Sequence, residues 1–227
     1  DIDRDAVMVQ GNFWTADVDI VLWGADGVIV LKNELAQDGK TRSLIRVAQS
    51  DAFDALKNVS TVAPVDLDHD GDLDLAIASQ RGFSLWLNQE DFTFLDNSEF
   101  STLPKQTGST IHSIIPVDWG RNVATDLLCL GEGTAGYLEN ILHGQFRWNG
   151  AAISNLDSAK QMAILEADGN FSWDIVHAGS KGLQLITTAN PDAGITKVIG
   201  TDSITPDERS GLLIADYDND GFQDIIS

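Results

Sequence analysis

Two nine-residue stretches carry the residues best suited to chemistry. Asp66, Asp68, Asp70 and Asp74 surround Gly71 in the first, and Asp216, Asp218, Asp220 and Asp224 surround Gly221 in the second, so both read D-x-D-x-D-G-x-x-D. Ca²⁺ favours many hard oxygen ligands in a flexible cage. Acids at positions one, three and five of a tight loop aim three carboxylates inward, and glycine at position six allows a sharp turn with positive φ. The backbone carbonyl at position seven, Asp72 or Phe222, adds an oxygen, and the acid at position nine is expected to close the cage with both of its own. Four carboxylates in so short a loop repel one another unless a cation sits among them. An EF-hand places its closing Glu later in the loop, on an outgoing helix, whereas here the closing Asp opens an apolar strand. The competing reading is a set of solvated Asx-turns.

Three further loops keep parts of this pattern. Glu166, Asp168, Asn170 and Asp174 retain the oxygens but have Phe171 where the glycine belongs, which makes a weaker third site. Asp118, Asn122 and Asp126 surround Gly120 at position three, and this loop is expected to be empty. The first loop offers only Gly11, Phe13 and Thr15 before Asp19 and is expected not to bind. Its GNFW resembles GNFS of the fourth loop, which suggests a turn held by an inserted aromatic ring in place of metal.

The loops recur, and that fixes the elements that position them. Asp19, Asp74, Asp126, Asp174 and Asp224 lie roughly fifty residues apart, each between two apolar strands such as VAPVD and LAIAS. Gly27, Gly82 and Gly182 follow eight residues after Asp19, Asp74 and Asp174, where a hairpin must turn. Asn33, Asn88 and Asn140 follow fourteen residues after Asp19, Asp74 and Asp126, each closing a strand, while the fourth unit has Thr188 there. Each unit reads strand, acidic loop, strand, short turn, strand, connection, strand. Four strands in such a period predict an all-β chain, a β-propeller or partial propeller of four-stranded blades with Ca²⁺ loops between strands one and two. The expected repeats are 6–60, 61–110, 111–160, 161–209 and an incomplete 210–227, together one domain over 1–227. That count suggests part of a larger propeller, with the remaining blades supplied elsewhere, or a compact ring of four or five. One helix is predicted over 50–60, SDAFDALKNVS, with Ser50 as N-cap, as a decoration between blades.

Composition sets the limits. The net charge of −21 argues against nucleic-acid binding, which needs clustered Lys and Arg. Of the 35 acidic residues 28 are Asp, a bias toward turns and oxygen cages over helix. No apolar run is long enough to span a membrane, and DIDRDAVMVQ lacks the basic-then-apolar pattern of a signal peptide. Cys129 has no partner for a disulfide and lies in an apolar run, so it reads as a small buried hydrophobe. Gly131, Gly133 and Gly136 form G-x-G-x-x-G with Asp157 beyond, but the repeat makes this a hairpin and no βαβ unit follows. His69, His112, His143 and His177 are scattered, and no nucleophile elbow occurs. No catalytic residues and no organic cofactor are expected.

PVDLDHDGDLDLAIAS and IADYDNDGFQDIIS resemble the FG-GAP/VCBS repeats of integrin α-subunit propellers and bacterial surface proteins. ADYDNDGFQDI resembles repeats of the ASPIC/UnbV, cartilage acidic protein-like group. The resemblance implies a propeller of about seven blades, structural Ca²⁺ held by Asp66, Asp68, Asp70, Asp74 and by Asp216, Asp218, Asp220, Asp224, and an extracellular, periplasmic or cell-surface setting. The function it implies is a non-enzymatic interaction module with a protein or glycan ligand. The alternatives are a propeller-based lyase or hydrolase fragment, or a lectin.

Overall fold

The computed structural model describes residues 7–11, 18–90, 92–104, 111–131, 134–150, 156, 159–179, 182–188, 195–201 and 212–226. Four antiparallel sheets of four strands follow one another along the chain. The first contains β1 (Val7–Gly11), β2 (Asp19–Gly24), β3 (Gly27–Leu35) and β4 (Arg42–Arg46). A short helix α1 (Asp51–Asp54) leads to β5 (Thr61–Val65), β6 (Asp74–Ser79), β7 (Gly82–Asn88) and β8 (Phe94–Asp96). The third sheet holds β9 (Ile111–Val117), β10 (Asp126–Gly131), β11 (Thr134–Asn140) and β12 (Phe146–Asn149). The fourth holds β13 (Ala159–Leu165), β14 (Asp174–Gly179), β15 (Gly182–Thr188) and β16 (Ile195–Thr201), and β17 (Leu213–Ala215) pairs with β18 (Asp224–Ile226). Each strand pairs with the next in sequence, so every sheet is a simple meander. The first strands β1, β5, β9, β13 and β17 contact one another in turn, which makes them the inner row of a β-propeller-like array.

The second strands explain the unbroken apolar runs of the sequence. All six residues of β6, β10 and β14 are buried, because a sheet stacks on each of their faces. Side chains alternate between faces. Leu75 and Ile77 therefore enter the core between the first and second sheets, while Ala76 and Ala78 enter the core between the second and third. Leu127 and Cys129 face that second core, and Leu128 and Leu130 face the third. Cys129 is fully buried, and burial pushes its thiol well above the ordinary range, so it acts as a hydrophobe. The G-x-G-x-x-G segment forms a hairpin, with Gly131 opposite Thr134 and Cys129 opposite Gly136. Gly133 lies outside the described residues.

The predicted helix over 50–60 is four residues long. Ser50 caps it, its Oγ accepting from the Phe53 N–H at 3.3 Å. Helix ends there because the following backbone has other partners. The Asn58 and Val59 N–H groups donate to Ala25 and Gly24 carbonyls of the β2–β3 hairpin, at 2.9 and 3.0 Å, and Asn58 takes φ 48. Nor is the segment a decoration. Phe53, Leu56 and Val59 enter the first core, where the Phe53 ring meets Trp86 edge-on at 5.0 Å and stacks on Phe94 at 5.6 Å. Gly27 at the hairpin tip has φ 118, and a Cβ there would stand 2.6 Å from the Leu56 carbonyl oxygen. The turn needs glycine both for its dihedral and for this close approach.

Candidate metal centre

The four described acidic loops share one backbone trace, built from their own side chains. The acid at position one accepts from downstream N–H groups. Asp66 accepts from His69 at 2.7 Å and Gly71 at 3.2 Å, Asp118 from Asn122 and Val123, Glu166 from Gly169 and Asn170, and Asp216 from Asp220 and Gly221. The side chain at position five accepts from the N–H of position seven in every loop: Asp70 from Asp72, Asn122 from Ala124, Asn170 from Ser172, and Asp220 from Phe222. Positive φ recurs at position four, in His69, Arg121, Gly169 and Asn219, and at position six, in Gly71, Val123, Phe171 and Gly221.

Loss of the position-six glycine therefore did not abolish the turn. Phe171 holds φ 63 and Val123 holds φ 72, a dihedral that disfavours a β-branched residue. Both side chains point to solvent, at 81% and 89% exposure, so no packing compensates the strain. Val123→Gly and Phe171→Gly are each expected to stabilise the fold by about 1 kcal/mol. Urea midpoints measured for the two variants check this, and lower midpoints for both would refute the strain.

Three acidic groups among the described residues bring carboxylate oxygens within 4.8 Å of one another: Asp66, Asp68 and Asp70; Glu166, Asp168 and Asp174; and Asp216, Asp218 and Asp224. Asp220 lies outside its group and accepts from the Phe222 N–H, and Asn170 likewise accepts from the Ser172 N–H at position five. Asp72 and Asp74 also lie outside the loop-two group. The sequence reading has Asp74 close the cage with both oxygens; it lies outside the convergent group, and its Oδ2 accepts from Leu67 N–H and its Oδ1 from Asn88 N–H, each at 2.7 Å. The same clamp joins Asp19 to Asn33 and Asp126 to Asn140 at 2.8 Å. Position nine thus ties the loop to the end of strand three, and the Asn fourteen residues later adds its side chain, its Nδ2 donating to the carbonyl just before that acid: Asn33 to Val18, Asn88 to Leu73 and Asn140 to Thr125. Position two is held by the same acid in loops four and five, Ala167 N–H donating to Asp174 and Tyr217 N–H to Asp224. Phe13 and Thr15 of the first loop lie outside the described residues.

Loop two differs from a mere Asx-turn in what it leaves unsatisfied. Oδ1 of Asp68 and both carboxylate oxygens of Asp72 are buried without a hydrogen-bond partner. Asp72 is 6% exposed; the Glu90 backbone N–H nearby favours its charge but does not reach hydrogen-bonding geometry. Burial, then Asp70, pushes Asp72 up to about 7. Burial raises Asp74 to about 8 against the pull of its two backbone donors, with Asp68 and Asp72 adding to the rise. Asp68 is raised by burial, then by Asp70 and Asp66. Orphaned buried carboxylate oxygens are costly, and a divalent cation satisfies them and their mutual repulsion together. The residues present fit Ca²⁺. Loop five copies the trace with Asp216, Asp218 and Asp220 exposed and Asp224 half-buried, and Phe222 stands at position seven, 76% exposed.

Loop three has lost this chemistry. Gly120 replaces the acid at position three, and its N–H donates to Asp126 at 2.9 Å. The loop is instead locked to its neighbour, the Trp173 indole N–H donating to the Asp118 carbonyl at 2.9 Å.

Comparison with known proteins agrees with this architecture. A solved lectin from Agrocybe aegerita, described as recognising non-reducing terminal N-acetylglucosamine, matches with a TM-score of 0.67 over 97% of this chain. At 18% identity the likeness speaks for the fold alone, and the chain spans 60% of that lectin's length. No curated protein matches the sequence. Residues 66–129, from the first acid of loop two to Cys129 in the next sheet, match the family described as the FG-GAP-like repeat. This is the segment whose loop and strands recur along the chain.

Proposed function

We propose that this protein is a calcium-stiffened interaction module, acting outside the cytoplasm, whose blades present a surface to a protein or glycan ligand. The observation that carries the calcium reading is the set of buried, unpartnered oxygens of Asp68 and Asp72 beside the convergent acids of loop two. Asp66, Asp68 and Asp70 would hold one ion, Asp216, Asp218 and Asp224 a second, and Glu166, Asp168 and Asp174 a weaker third. Bound Ca²⁺ neutralises the loops and fixes them, so a ligand meets a preorganised surface. The lectin neighbour's described sugar recognition supports the glycan arm. No catalytic step is assigned. Calorimetric titration of metal-stripped protein tests the ion count, with two strong events expected and none refuting the reading. A glycan array read with Ca²⁺ and with EDTA then tests the ligand arm.

Metal-free protein is expected to lose stability as pH rises from about 4 to about 8. Asp72 and Asp74 bind protons more tightly folded than unfolded, so folding is favoured below the ordinary carboxylate range and weakened as pH passes their folded values of about 7 and about 8. Ca²⁺ competes with those protons, so its stabilising increment grows over the same window. Melts in EDTA across this range check the sign, and stability that rises toward pH 8 would contradict it.

A further inference from the structure

A polar cleft of about 650 Å³ opens beside loop three, on the outer strands of the third sheet. It lies where that loop has Gly120 and Asn122 in place of the acids at positions three and five. Gly120 forms part of its wall, at the position occupied by Asp68 in loop two, and a Cβ there would stand 3.5 Å from the Asn122 amide and the Asp126 carboxylate. Arg121 and Arg147 both line it, against a single acid, Glu139. In a chain with 35 acidic and 14 basic residues, a concavity with two guanidinium groups is a local reversal of sign.

The two arginines are committed differently. Arg147 donates through Nε and Nη2 to Oε2 of Glu139, at 3.1 and 2.6 Å, which fixes its plane. Arg121 has one long contact, Nη1 to Ser172 Oγ at 3.5 Å, and no acid partner among the described residues. Its left-handed backbone, φ 56, is the position-four dihedral common to all four loops. Around these charges stand groups suited to hydroxyls. The Asn149 amide reaches the buried Tyr137 hydroxyl at 3.5 Å, and Asn122, also in the lining, accepts at Oδ1 from the Ala124 N–H. A free guanidinium recognises a carboxylate through paired donors, and amides with a carboxylate oxygen recognise sugar hydroxyls. The volume is that of a small-molecule site.

We propose that this cleft binds an acidic monosaccharide, a pyranose bearing a carboxylate, with Arg121 on the carboxylate and Asn122, Asn149 and Glu139 on the hydroxyls. This deepens the glycan arm of the function above but does not need the calcium loops. The test is an NMR titration of the protein with methyl glucuronide, methyl glucoside and acetate, each in Ca²⁺ and in EDTA. Methyl glucuronide is expected to saturate with at least about tenfold tighter binding than either other probe. Arg121→Ala should lose that preference, while Arg46→Ala, an exposed arginine of the first sheet, keeps it. Equal binding of glucuronide and glucoside, or an Arg121→Ala variant that binds like the parent, overturns the proposal. Acetate binding as well as glucuronide would reduce the cleft to a plain anion site and overturn its sugar specificity. Because the EDTA arm reports on the cleft alone, a failure of calcium binding leaves a separate signature.

Discussion

Stripped of metal and then refilled, the protein should melt at a markedly higher temperature in Ca²⁺ and little higher in Mg²⁺. An ion that binds only the folded state adds about 2.7 kcal/mol per site at one hundred times its dissociation constant. For a chain of 227 residues two such sites amount to roughly 10 °C or more. Mg²⁺ demands tighter octahedral geometry and sheds water reluctantly, so it is the proper control. Asp70→Ala should remove the share of loop two and Asp218→Ala that of loop five. The sharper variant is Asp68→Asn. Burial and the neighbouring acids raise the Asp68 pKa, so losing its charge should stabilise the metal-free protein while lowering the calcium increment. That reversal of sign between EDTA and Ca²⁺ cannot come from general damage to the fold. If Asp70→Ala and Asp218→Ala melt like the parent in Ca²⁺, the metal role is wrong.

Phe53→Ala should cost about 3–5 kcal/mol, the usual loss when a large aromatic leaves a closed core. The residue is fully buried between the first two sheets, against Trp86 and Phe94, on a helix of four residues that has little stability of its own. The ring holds the helix in place, and the helix holds the ring, so the cavity cannot close cheaply. Urea denaturation gives the value, and Phe100→Ala, at an exposed site, should be close to neutral. A loss below about 1 kcal/mol for Phe53→Ala would mean the sheets pack without this plug.

The blade pattern was legible because its signals repeat. An Asp before an apolar run, a glycine eight residues on and an Asn fourteen residues on mark a register that no single strand could establish. The physical role of two of those marks was hidden. Asn88 reads as a strand-ending residue, yet its backbone N–H is a partner of Asp74, a bond between residues fourteen apart that sequence spacing hints at without explaining. The helix was overextended because its composition suits a helix, while the competing backbone bonds of Asn58 and Val59 to the first hairpin are tertiary. Phe171 reads as a lost turn because intrinsic preference opposes φ 63, and the surrounding hydrogen bonds override that preference. The cleft beside loop three draws on one loop and two strands, and no local pattern announces it.

The shared trace of the four loops separates two properties that descend together in most metal proteins. The backbone bonds from positions one, five and nine persist in loop three, where the third-position acid is gone and the chain still turns. On the calcium reading proposed above, ion occupancy would be a trait of individual blades, open to gain or loss by single substitutions that leave the turn in place. On that reading a lineage of such chains could drift in its calcium requirement, from an obligate to an indifferent protein, while its row of sheets stays recognisably the same.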